Sequence, residues 1–173
     1  MIARARHLVT RFVGSLRPRP LGAHDISLVE GILAPAELEC WRRLGPADRV
    51  ESVATARAAQ AALGPDGDNR WVAAALLHDV GKSETGLGPF RRAAATTVAI
   101  AFGERRVRRW PNAIGRYVDH DEVGSRALAQ AGARREAVEW AAIHHRPALW
   151  PGSGVPIGIC RILAAADGEP QGL

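Results

Sequence analysis

The sequence predicts an all-α protein, and three observations carry that expectation. Alanine, the strongest helix former, is abundant throughout and lets helices approach closely. Apolar residues recur at helical spacing, as in Trp71, Ala74, Ala75 and His78. Aromatic residues make up only 5% of the 173, and no strand pair or hairpin signal competes.

Taken in order, residues 1–23 read as a basic leader or linker, because Pro18 and Pro20 cannot lie inside a helix. Residues 24–173 then form one helical-bundle domain, a length that supports a sizeable core. Pro35 opens a helix through AELECWRRL, closed by Gly45-Pro46, and a second runs from Asp48 to about Leu63. Gly67-Asp68-Asn69 form a turn and a cap for the next helix, which begins near Arg70 and stops near Gly81. Gly86 to Pro89 is a loop, and residues 90–102 form an apolar helix with a charged start. Glu104 to Trp110 is helical or irregular, and Pro111 breaks it. Further helices are expected over about 112–119, 122–131, 134–145 and 156–167. Cys40, Cys160, Trp41, Trp71, Trp140 and Trp150 are expected in the core or at its rim.

Composition is that of an ordinary globular chain, with 47% hydrophobic and 24% charged residues. The 23 basic residues exceed the 18 acidic ones, giving +5, and Lys82 is the single lysine. Arginine's planar fork suits phosphate, so the balance points to an anionic partner such as a nucleotide, or else to solvated arginine-rich helix faces. The run Arg105-Arg106 and Arg108-Arg109-Trp110 has the make-up of a nucleic-acid patch, but a single run of this kind more often marks a solvated face. Nucleic acid is therefore not the expected partner, although an arginine-rich leader leaves an RNA role as a third alternative. No window approaches ~18 consecutive apolar residues, so no membrane span is expected. The start lacks the apolar run of a signal peptide. Two cysteines without a CxxC pattern fit a reducing, cytoplasmic setting.

The segment AALLHDVGK places His78 and Asp79 side by side at the end of an apolar helix. Neighbouring helical residues diverge by about 100°, so both address one centre only if it lies beyond the helix end. Gly81 lets the chain turn there, with Lys82 close by. A carboxylate at the negative end of a helix asks for a compensating cation, and an imidazole with a carboxylate offers one a mixed ligand set. Downstream come His120, the pair His144-His145, and Asp167 at the end of the apolar stretch IGICRILAAAD.

His78-Asp79-Val80-Gly81-Lys82 resembles the defining motif of the HD superfamily of metal-dependent phosphohydrolases. The order HD, H, HH, D over roughly residues 46–168 is similar to its dinuclear members, including the HD-GYP branch. The resemblance implies an HD domain in which Asp79 bridges two divalent ions. His78, Asp167 and Glu51 would complete one centre, and His120, His144 and His145 the other. Iron or manganese is expected first, with magnesium or zinc as alternatives. Asp79 would be catalytic through its metals, and Lys82 would contact the substrate phosphate, with Arg146 as a second contact. The implied activity is hydrolysis of a nucleotide or related phosphoester by a metal-activated hydroxide. The alternative is a degenerate HD module that binds a nucleotide or partner protein in a regulatory role. Two departures bear on this choice. Glu51 stands where the family has a histidine, and Arg146-Pro147-Ala148-Leu149-Trp150-Pro151 replaces the GYP extension. Specificity for cyclic diguanylate is therefore not implied.

Overall fold

Residues 71–77, Trp-Val-Ala-Ala-Ala-Leu-Leu, are apolar on every side, and such a helix is stable only when surrounded. In the computed structural model, which describes residues 20–65 and 67–168, all seven are buried. They belong to α4 (Asn69–Leu77), the axis of the bundle. Before it come α1 (Ala23–Ile32), α2 (Pro35–Arg42) and α3 (Pro46–Leu63). After it come a 3₁₀ segment (Val80–Thr85), α5 (Pro89–Phe102), α6 (Glu104–Val107), α7 (Ala113–Val118), α8 (His120–Gln130) and α9 (Arg135–Ile143). A second 3₁₀ segment (Pro147–Gly152) leads into α10 (Ile157–Ala166). No strand occurs among the described residues, so the fold is all-α. Helices α1, α2, α3, α9 and α10 all pack on α4, and the alanines of α4 allow that crowding.

Local chemistry explains most boundaries. Asp68 Oδ1 accepts the Arg70 N–H at 2.9 Å at the start of α4, and Asn112 Oδ1 accepts the Gly115 N–H at 3.0 Å at the start of α7. α3 begins at Pro46 rather than Asp48, because a proline in the first turn lacks only an N–H that has no helical partner there. α8 begins at His120, two residues before the expected start, so this histidine sits in the first helical turn. α9 and α10 end at Ile143 and Ala166, leaving His144 and Asp167 as their C-caps. Neither 3₁₀ segment is foreseen by the apolar periodicity, which carries little signal over six residues. Residues 1–19 of the expected leader lie outside the described residues, and the helical domain is under way by Ala23. Cys40, Cys160, Trp41, Trp71 and Trp140 are buried, while Trp150 is half-buried at the rim.

Two contacts fix how the ends of the bundle meet. The Glu37 carboxylate is buried and accepts from the backbone N–H of Ala34 at 2.9 Å and of Arg134 at 2.9 Å. It also accepts from Arg134 Nε at 2.7 Å and Nη2 at 2.6 Å. One side chain thus ties the N-termini of α2 and α9. Burial pushes the Glu37 carboxyl up, but hydrogen bonds and charge from Arg134 outweigh it and hold it below its ordinary value of 4.5. At the opposite end Gly81 lies against the start of α8. A Cβ at Gly81 would meet His120 O at 1.9 Å, and one at Gly124 would meet Gly81 N at 2.7 Å. Gly81 does not have a positive φ, so its role is close approach and not the conformational freedom expected of it. The left-handed turn falls at Gly86, with φ 65°.

Glu37→Gln should cost about 2 kcal/mol in denaturant unfolding at neutral pH, the range for hydrogen bonds to charged groups. A carboxyl with a depressed folded-state pKa stabilises fully above its unfolded value and loses that contribution as pH falls through the folded one. The gap between wild type and variant should therefore be full at pH 7 and shrink below pH 4.5. Gly81→Ala should destabilise by about 2–3 kcal/mol through overpacking against backbone. Gly158→Ala, with nothing within 4 Å of its Cβ position, should be neutral or mildly stabilising in the same measurement.

Candidate metal centre

Four helix ends deliver the cluster. His78 caps the C-terminus of α4 and Asp79 follows it, His144 caps α9, Asp167 caps α10, and His120 opens α8. The C-termini of α4, α9 and α10 therefore converge, and their partial negative charges favour a cation between them.

Each buried imidazole is locked in the same way. Its Nδ1–H donates to the backbone carbonyl three residues earlier: His78 to Ala75, His120 to Tyr117 and His144 to Ala141, each at 2.8 Å. A carbonyl only accepts, so Nδ1 carries a proton in every case and Nε2 is the atom left facing the cluster. His78 Nε2, His120 Nε2, His144 Nε2 and Asp79 Oδ1 are buried without a hydrogen-bond partner. Buried polar atoms rarely stay unsatisfied, and three of these, His120 Nε2, His144 Nε2 and Asp79 Oδ1, share one space. Ligand atoms of Asp79, His120, His144 and His145 all lie within 4.8 Å of one another.

The Asp79 carboxylate divides its oxygens between two sides. Oδ1 faces His120 Nε2 at 3.3 Å and His144 Nε2 at 3.7 Å. Oδ2 faces His78 Nε2 at 3.4 Å and receives the Lys82 ammonium. His78 Nε2 also lies 3.4 Å from Asp167 Oδ1, which in turn accepts from Thr55 Oγ1 at 3.4 Å. His78, Asp79, His120, His144, His145, Asp167 and Lys82 are thus brought together. Glu51 is half-buried on α3, and its charge acts on Lys82, which lies on the Asp79 Oδ2 side. Arg146 is engaged by carboxylates, with Nε 2.8 Å from Asp121 Oδ2 and Nη2 3.3 Å from Asp119 Oδ1.

Electrostatics separate the two sides. Burial pushes the His144 imidazole down to about 4, reinforced by the neighbouring charge of His145, and burial likewise lowers His120. Burial also acts on His78, but the carboxylates of Asp79 and Asp167 outweigh it and hold His78 well above the usual histidine range. Burial pushes Asp79 up, yet Lys82 and His78 together hold it well below the usual carboxylate range. Lys82 is lowered by burial and raised further by Asp79 and then Glu51, so it keeps its proton.

Sequence reasoning misses two supporting features. Thr55 reaches Asp167 from α3, and a threonine in an alanine-rich helix gives no signal of this. Arg108 belongs to the run read as a solvated face, but its guanidinium is largely buried. It holds Asp121 Oδ1 at 2.7 Å and Asp119 Oδ1 at 2.9 Å. Asp121 is fully buried and joins Arg108 to Arg146, linking the segment that bears His120 to the one that bears His145.

The donor set fits a divalent ion: imidazole nitrogens with fixed tautomers, and a carboxylate whose Oδ1 has no hydrogen-bond partner. A family model described as the HD domain matches residues 49–170. No curated protein and no solved structure is similar enough to count as a match. With the paired His78 and Asp79 at the end of a buried helix and the other histidines closed around them, the chain belongs to the HD-domain family, a superfamily of metal-dependent phosphohydrolases.

Proposed function

We propose that the protein hydrolyses a nucleotide or related phosphoester at this centre. The observation that carries the reading is the pair of buried, unpartnered Nε2 atoms of His120 and His144 facing an orphaned Asp79 Oδ1. His120, His144, His145 and Asp79 Oδ1 would hold one ion, and His78, Asp167 and Asp79 Oδ2 a second. The mixed nitrogen and oxygen donors favour iron or manganese, with magnesium or zinc as alternatives. A bound divalent ion supplies Lewis-acid charge and a water that ionises near neutral pH. The protein's own residues orient and neutralise. Asp79 is shared between the two sides, and Lys82 offers a protonated amine for the substrate phosphate. Arg146 is held by Asp119 and Asp121, so it positions the segment after His145 and leaves the phosphate chiefly to Lys82. Two buried, unpaired thiols, Cys40 and Cys160, support a reducing compartment such as the cytoplasm.

A second reading rests on the Oδ2 side. There Glu51 replaces the family histidine and the Lys82 ammonium lies on Asp79 Oδ2, so this half is already charge-compensated. On that reading the domain keeps at most the His120 side and serves as a nucleotide- or protein-binding regulatory module. Metal content of the purified, reconstituted protein discriminates: two equivalents of iron or manganese favour the enzyme, and none favours the module.

In a panel of phosphodiesters and nucleotides with added manganese or iron, wild type should hydrolyse at least one member. Asp79→Ala should lose metal and activity together. Lys82→Ala should keep its metal and lose about a hundred- to a thousand-fold in rate, the cost of one transition-state contact. A loaded wild type that hydrolyses nothing yet binds a nucleotide tightly would establish the module instead. Glu51→Ala should weaken binding of the second equivalent if its carboxylate serves the His78 side, and Glu51→His should restore it. Unchanged metal affinity in both variants would remove Glu51 from the site.

A further inference from the structure

Helix α5 is exceptional among the helices. Among its described side chains only Ala95 is buried, and beyond the exposed Arg91 in its first turn its outward residues Ala93, Ala94, Thr97, Ile100 and Ala101 are all exposed and uncharged. Ile100 is 77% exposed, and Phe102 at the helix end is 57% exposed. A solvent-facing helix ordinarily carries its charges outward. Here the reverse holds for Arg92, which turns inward to grip both Asp48 oxygens at 2.8 and 2.7 Å and the Lys82 carbonyl at 3.2 Å. That anchor fixes α5 to the 3₁₀ segment bearing Lys82 and leaves its uncharged face outermost.

The surroundings of this face are basic. Residues 86–118 contain seven arginines and one glutamate, a net +6 against +5 for the whole chain. Arg92 and Arg108 are engaged by carboxylates. The other five, Arg91, Arg105, Arg106, Arg109 and Arg116, are exposed and make no ion pair among the described residues. α6 and α7, which carry three of them, pack against α5. Between α5 and α7 runs an apolar groove of about 290 Å³, lined by Leu87, Ala94, Ala113 and Ile114 together with Arg91 and Asn112.

We propose that the α5–α7 face docks on an anionic lipid surface. An uncharged apolar helix face bordered by arginines is the arrangement that lies in a bilayer interface, where acyl chains take the apolar side chains and anionic headgroups the guanidinia. No helix among the described residues is long and apolar enough to cross a membrane, so this contact is peripheral. Charge selects the occupant. A second copy of the chain, paired symmetrically through α5, would bring five unpaired arginines against five more. A nucleic acid would use the guanidinia but would leave Ile100 and the alanine face without a partner.

Vesicle co-sedimentation of the full chain tests this, with phosphatidylcholine vesicles compared with phosphatidylcholine–phosphatidylglycerol vesicles. Binding should require phosphatidylglycerol and weaken with added salt. Arg105→Gln/Arg106→Gln should weaken it about thirty-fold, the effect of two interfacial arginines. Ile100→Asn, at an exposed position that leaves helical content and melting unchanged, should weaken it about ten-fold. Failure to bind anionic vesicles, or equal binding to neutral ones, would overturn the proposal. So would binding that survives both variants, because it would then reside elsewhere in the chain. A protein that ignores vesicles but binds a single-stranded RNA oligonucleotide, or self-associates through Ile100, would identify a different occupant. None of these readouts depends on phosphohydrolase activity.

Discussion

Two imidazole lone pairs, on His120 and His144, and one carboxylate oxygen, Asp79 Oδ1, face each other in a buried space, and the surrounding protein holds them there. The backbone takes the Nδ1 proton of His78, His120 and His144, always through the carbonyl three residues earlier, so the rings cannot turn their donor side inward. Lone pairs opposed in this way repel, and burial prevents water from relieving them. A cation resolves the conflict. The converging C-termini of α4, α9 and α10 add negative potential in the same place.

The rest of the bundle serves that arrangement. α4 is apolar on all sides because it must pass through the centre to deliver His78 and Asp79 to the far end. The backbone contact of Gly81 with His120 and Gly124 brings α8 near enough for His120 Nε2 to stand 3.3 Å from Asp79. Asp121, between Arg108 and Arg146, clamps the start of α8 to the segment after α9. At the other end of α9 the Glu37–Arg134 pair fixes the helix that carries His144. Because these contacts are hydrogen-bonded and largely dry, small changes in them act on ligand geometry as well as on stability.

The all-α class and most helices were legible from alanine content, helical periodicity and proline or glycine at the ends. The cluster itself was legible because its residues sit at helix ends, where a histidine or aspartate has no periodic reason to be. Other features depend on tertiary contact and leave no local trace. Thr55 resembles any small residue of an alanine-rich helix, and Arg108 cannot be told from Arg105, Arg106 and Arg109 until Asp121 is placed beside it. Gly81 shows the same limit. Its presence at the turn was readable, but its reason, a 1.9 Å conflict between a Cβ and His120 O, needs a helix forty residues away. Glu51 was readable as a departure from the family pattern, and only the structure sets its charge against Lys82.

The most direct measurement is anomalous diffraction from crystals loaded with manganese or iron. A peak is expected within about 2.0–2.3 Å of His120 Nε2, His144 Nε2 and Asp79 Oδ1, the range of metal–nitrogen and metal–oxygen bonds. A second peak beside Asp79 Oδ2, near His78 and Asp167, would complete a dinuclear centre. A loaded crystal in which the His120 and His144 Nε2 atoms keep facing Asp79 Oδ1 with no peak between them would contradict a metal centre at this site.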